Sequence, residues 1–118
     1  MIQTISAVTF AVRDMARSVE FYRNLGFELV YGGEAAGFSS LKAGEAFVNL
    51  VASPAYEQRW WGRVIFRVDH VDPHYRMLQA QELAVESPRE APWGERFFHV
   101  VDPDGHELSF AELLPAQC

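Results

Sequence analysis

Cysteine is nearly missing from this chain: of 118 residues only Cys118 carries a thiol. No intramolecular disulfide can form and no cysteine-based metal site is available. A thiol at the chain end has nothing to hold it in place as a nucleophile. Basic charge is also short, 10 Lys and Arg against 16 Asp and Glu, a net charge of −6. Non-specific nucleic-acid binding needs a basic face and is not expected. An acidic balance suits a cationic ligand, although its ordinary role is solubility. No apolar run approaches the roughly 18–20 residues of a membrane span, and no basic segment followed by an apolar one marks a leader. The expectation is a cytoplasmic protein with no membrane partner.

What is present is enough for a real core. Hydrophobic residues make up 49% and charged residues 22%, and at this length one compact domain is the default. Aromatics reach 14%, with 3 Trp and 9 Phe, a supply that fills cores and also lines ligand pockets.

Ile5 to Val12 alternates, with Val8, Phe10 and Val12 on one face and Ala7, Thr9 and Ala11 on the other. This is a half-buried strand. Asp14 stands where an N-cap belongs, Met15, Val19, Tyr22 and Leu25 follow at helical spacing, and Gly26 ends the helix. Phe27–Tyr31, Gly37–Lys42 and Ala46–Ala52 read as three further strands.

After a linker at about 53–60 the pattern restarts. Val64, Phe66 and Val68 form one strand face, and Asp72 caps a helix with Pro73 at its first position and Tyr75 and Leu78 inside. Leu83–Glu86 reads as a strand and Pro88–Pro92 as a turn-rich loop. Two strands then flank Asp102-Pro103-Asp104-Gly105, a turn in which Asp accepts a backbone N–H, Pro sets φ and Gly tolerates positive φ. Val8, Phe10, Val12, Val19, Tyr22, Phe27 and Leu29 match Val64, Phe66, Val68, Tyr75, Leu78, Leu83 and Val85 at one constant offset of 56 residues. The register indicates a duplicated βαβββ unit, about 3–52 and 61–114, within a single domain spanning 1–118. Two repeats are too few for a solenoid. They are expected to form an α+β fold of curved mixed sheets with helices outside.

One sheet face must then be apolar toward the helices, and the other is free to line a cavity. Period two puts Ala7, Thr9, Ala11, Phe47, Asn49, Val51, Arg63, Ile65, Arg67, Glu107, Ser109 and Ala111 on that second face. Arg63 and Arg67 there either snorkel to the rim or contact a ligand. His70, His74 and His106 are expected to be exposed. His99 falls opposite Ser109 if the last hairpin pairs those residues. It then either lines the cavity or sits satisfied at the sheet.

The pieces Val8-x-Phe10-x-Val12-x-Asp14, Phe21-Tyr22-Arg23-Asn24-Leu25-Gly26-Phe27 and Asp102-Pro103-Asp104-Gly105 with Leu108-x-Phe110 resemble the vicinal oxygen chelate superfamily. That superfamily holds glyoxalases, bleomycin-resistance proteins and extradiol dioxygenases, and the resemblance runs from about residue 5 to 114. It implies the glyoxalase/bleomycin-resistance fold and says little of activity. Metal-dependent members bind a divalent ion through His, Glu or Gln at four places, which here fall on Ala7, Asn49, Arg63 and Ser109. Ala has no donor, Arg repels a cation, and Asn and Ser are weak ligands. No metal and no cofactor is therefore expected. The run Pro92-Trp93-Gly94-Glu95-Arg96-Phe97 looks like the metal-free bleomycin-resistance branch, which implies sequestration of a planar antibiotic in an aromatic cleft. Arg63 and Arg67 depart from that branch and favour an anionic or carbonyl-bearing ligand.

Two functions stay open. One is a metal-free protein that sequesters or carries a small, partly aromatic ligand, contacted by Phe47, Asn49, Trp60, Trp61, Arg63, Arg67, Trp93, His99 and Ser109. The other is a lyase, isomerase or dioxygenase-type enzyme on a small carbonyl or aromatic compound, with His99 or Glu107 as general base and Arg63 or Arg67 stabilising an oxyanion. That second reading requires His99 and an arginine to meet in one pocket. A third reading, a pure interaction module, requires a cavity too small for any ligand. Trp60 and Trp61 are adjacent and point apart, so one of them is expected at the contact of a homodimer.

Overall fold

The computed structural model describes residues 1–81, 83 and 85–115. The chain divides into two compact units, Met1–Arg59 and Trp60–Cys118. The first contains β1 (Ala7–Val12), α1 (Met15–Asn24), β2 (Glu28–Tyr31), β3 (Phe38–Ala43) and β4 (Ala46–Ala52). The second contains β5 (Arg63–Arg67), α2 (Val71–Ala80), β6 (Arg89–Ala91), β7 (Glu95–Val101) and β8 (Glu107–Leu113). Hydrogen bonding gives one four-stranded mixed sheet per unit, in the orders β1-β4-β3-β2 and β5-β8-β7-β6. The first strand of each unit runs parallel to the last, and the other neighbours are antiparallel. The duplication inferred from the residue pattern is thus a duplication of topology. Among the described residues, no helix is long and apolar enough to cross a membrane.

In the first unit local signals explain the structure. Asp14 accepts the Arg17 N–H at 3.1 Å and caps α1. Gly26, at φ 107°, ends it where a side chain would be strained. Met15, Val19, Tyr22 and Leu25 are buried, and Tyr22 stacks on Phe10 at 5.9 Å. The opposite sheet face stays open, with Phe47 and Val51 over a third exposed and Asn49 half-buried.

In the second unit Val71 and Leu78 of α2 are fully buried. Phe110 stacks against Phe98 at 5.4 Å and Phe66 at 5.5 Å. The last hairpin forms as its turn chemistry requires. Asp102 Oδ1 accepts the N–H groups of Asp104 and His106 at 2.9 and 2.8 Å, and Gly105 adopts φ 90°.

Three expectations fail here. Asp72 does not cap α2. The helix begins at Val71, whose N–H is accepted by Glu112 Oε1 from β8 at 2.9 Å. Asp72 instead takes the Arg96 guanidinium at 2.9 and 2.8 Å, and this pair holds the Asp72 carboxyl below its ordinary pKa. Pro73 then lies in the first turn, where a missing N–H costs nothing. The strand expected at Leu83–Glu86 is reduced to a single bridge from Val85 to Val100, with Glu82 and Ala84 outside the described residues. The loop expected at Pro88–Pro92 instead contains β6, because Arg89, Glu90 and Ala91 pair with Phe97, Arg96 and Glu95. The offset of the repeat therefore holds through strand and helix and breaks at the next strand.

Candidate functional site

Alternation along β5, β7 and β8 decides what lies on the sheet face away from α2. Phe98, Val100, Leu108 and Phe110 point to the helix side and are buried. Their neighbours Arg63, Ile65, Glu95, Phe97, His99, Ser109 and Ala111 line a cavity of about 360 Å³, completed by Arg89, Glu90 and Ala91 of β6 and by Pro92 and Trp93. That size is within the range of roughly 300–1,000 Å³ typical of small-molecule pockets.

His99 faces Ser109 across the hairpin, the pairing that period two anticipated. Its Nδ1 lies 2.6 Å from Ser109 Oγ, and its ring is 5.2 Å from that of Phe97. Burial, and secondarily the Arg63 charge, push the His99 pKa below its ordinary 6.5, so the imidazole is neutral at pH 7. Arg63 is committed to Glu107, its partner across β5 and β8, at 2.5 Å. Glu107 is consequently an ion-pair partner and does not line the cavity. Trp93, 73% exposed, donates its indole N–H to Glu95 Oε1 at 2.5 Å. Arg89 lays its guanidinium 5.4 Å from the centroid of the Phe97 ring.

Of the residues singled out from the sequence, this cavity gathers Arg63, Trp93, His99 and Ser109. Arg67 shares the strand face but does not line it, and Phe47 and Asn49 belong to the sheet of the first unit. Trp60 is 75% exposed and also lies outside the lining. Trp61 is held elsewhere, donating its indole N–H to His106 Nδ1 at 2.8 Å. That contact corrects the expectation of a solvent-facing His106, which is only 3% exposed because the Asp102 turn folds it inward beneath Trp61. His74 is likewise half-buried, with its ring 4.5 Å from that of Phe110. Arg89 and Phe97 were missed. Phe97 follows from extending the alternation on β7 back by two residues from His99, whereas Arg89 depends on β6.

The family model described as the glyoxalase/bleomycin resistance protein/dioxygenase superfamily matches residues 4–110. The chain belongs to this superfamily. Among solved structures it is similar to the bleomycin resistance determinant encoded on the transposon Tn5 (TM-score 0.80, 23% identity, 94% of this chain and 98% of that one). It is also similar to a bleomycin-binding protein complexed with bleomycin (TM-score 0.75, 25% identity, 94% and 98%) and to the lactoylglutathione lyase of Agrobacterium tumefaciens (TM-score 0.78, 21% identity, 94% of each). None of the curated proteins matches the sequence. Binding proteins and lyases thus share this fold, and the side chains must decide between them.

The superfamily's metal chemistry does not fit these residues. At the four places that the sequence resemblance matches to the metal ligands, Ala7 offers a methyl, Asn49 an amide, Arg63 a guanidinium already paired with Glu107, and Ser109 a hydroxyl already bonded to His99. Divalent ions need imidazole or carboxylate donors in a fixed set. Among the described residues no three His, Cys, Asp or Glu side chains gather where they could hold an ion.

Proposed function

We propose that the protein binds a small, partly aromatic molecule on the concave face of its second unit and acts by sequestering or carrying it. The observation that carries this reading is the cavity of about 360 Å³, in which the flat surfaces of Trp93 and Phe97 stand beside the polar side chains of His99 and Ser109. Aromatic walls beside hydrogen-bonding groups suit a planar ring that carries polar substituents. At its edge Arg63 is paired with Glu107, and Glu95 accepts the Trp93 indole N–H. The protein is further proposed to work as a homodimer in the cytoplasm, as the resemblance to short family members implies, with the exposed Trp60 at the subunit contact. A thermal-shift screen of aromatic acids, aromatic antibiotics and thiol adducts tests the binding reading, since a ligand specific for the folded state raises Tm. At least one planar aromatic compound is expected to stabilise the protein, and stabilisation by none of them would overturn it.

A second reading is kept because His99 and Arg63 do meet in one pocket. A neutral His99 could take a proton from a carbon next to a carbonyl while Arg63 faces the oxygen. Solvent deuterium appearing at that carbon of a bound aromatic ketone, and lost in His99→Gln, would establish it. Glu107 and Arg67 are not its candidates, since neither lines the cavity.

A further inference from the structure

Trp93 and Trp60 are nearly equal in exposure, 73% and 75%, so packing fixes neither ring strongly. Trp93 sits in the turn between β6 and β7, beside Gly94 at φ 94°. The Gly94 N–H bonds the Ala91 carbonyl at 3.0 Å, and the Leu114 N–H bonds the Gly94 carbonyl at 2.9 Å. Those bonds fix the backbone of the turn and leave the indole its rotamers. The indole N–H goes to Glu95 Oε1 at 2.5 Å. Glu95 is itself anchored on both sides, paired with Ala91 of β6 and with Leu113 of β8. An acceptor on a strand held from both sides thus takes the donor of a ring on a turn, and both side chains line the cavity.

We propose that Glu95 is a positioning residue of the ligand site, holding the Trp93 indole in the rotamer that makes its ring a wall of the cavity. The proposal rests on the binding reading above. A large ring free to turn at a hairpin has to be ordered each time a ligand stacks on it, and ordering a rotamer-rich side chain weakens binding by roughly two- to tenfold. The hydrogen bond to Glu95 orders the ring before the ligand arrives. What this requires of residue 95 is an acceptor oxygen, because an indole only donates. The role is therefore one of geometry, acting through Trp93, and sets no condition on the charge of the ligand.

Indole nitrogen relaxation and calorimetry on the full chain test this together. Without ligand, the Trp93 indole should be more ordered than that of Trp60, and Glu95→Leu should bring the two together. Titration with naphthol, an uncharged planar ring with one hydroxyl, should show binding roughly two- to tenfold weaker in Glu95→Leu. Glu95→Gln, which keeps an acceptor oxygen, should fall between. In Trp93→Phe, which keeps a ring and removes the donor, adding Glu95→Leu should weaken binding no further. A Trp93 indole as mobile as that of Trp60 in the unaltered protein overturns the tether. An equal loss on Glu95→Leu with and without Trp93→Phe overturns the positioning role, because Glu95 then meets the ligand directly. Naphthol binding that Glu95→Leu leaves unchanged overturns the proposal and leaves the binding reading standing. No binding of naphthol by the unaltered protein overturns both.

Discussion

His99 Nδ1 lies 2.6 Å from Ser109 Oγ, joining the two central strands of the second sheet across their side chains. Burial of the imidazole is the larger cause of its lowered pKa and the Arg63 charge the next. A proton–carbon titration of the histidine rings should give His99 a midpoint below the ordinary 6.5. Arg63→Gln removes a nearby cation and releases the Glu107 carboxylate, and both changes should move that midpoint up. A midpoint at or above 6.5, or one indifferent to Arg63→Gln, would contradict the electrostatics described for the cavity.

Trp60 and Trp61 are neighbours with opposite roles in the fold. Trp61 donates to the buried His106 at 2.8 Å, and Trp60 is 75% exposed. Trp61→Phe keeps the apolar ring and removes the donor, so it should destabilise the chain by about 1–3 kcal/mol in urea unfolding. Trp60→Phe should change stability by less than about 0.5 kcal/mol. Equal effects of the two substitutions would mean that the indole–imidazole bond has no structural weight.

His74 carries a buried Nε2 with no hydrogen-bond partner, and desolvation holds its pKa below 6.5. The unfolded chain therefore binds a proton more readily than the folded one. The stability this preserves is fully present above about pH 6.5 and falls as pH drops from there toward the folded pKa. His99 is shifted in the same direction and adds to the loss. Urea midpoints at pH 7.5 and 5.5 should differ less in His74→Phe, which keeps a ring beside Phe98 and Phe110, than in the unaltered protein. The same difference in both would show that His74 is not a source of acid sensitivity.

Features with nearby causes were legible in the sequence. Asp14 and Gly26 bound α1 through contacts within a turn of the helix, and the hairpin turn is built from Asp102 to His106 alone. Alternation also told which residues share a sheet face. It could not tell which of them share a cavity, because period two fixes a face and leaves position along the strand open. Arg63 and Arg67 are equivalent by period, yet only Arg63 lines the pocket. Two of the failures have distant partners. The α2 cap comes from Glu112, 41 residues from Val71, and the cover over His106 comes from Trp61, 45 residues away. The short strand β6 exists through its pairing with β7, against a local composition that favours a loop. Without β6 there was no reason to bring Arg89 to the site.

The chain's three tryptophans give the most direct test of where a ligand sits, because each indole N–H is a separate probe. Trp93 lines the cavity of the second unit, Trp60 is exposed outside it, and Trp61 is tied to His106. In a nitrogen–proton correlation spectrum titrated with naphthoate, the Trp93 indole signal and the amides of Phe97, His99 and Ser109 should shift together. The Trp61 indole and the amides of Phe47 and Asn49 should stay in place. A titration that moves those last signals and leaves Trp93 unmoved would contradict the assignment of the ligand site to this face.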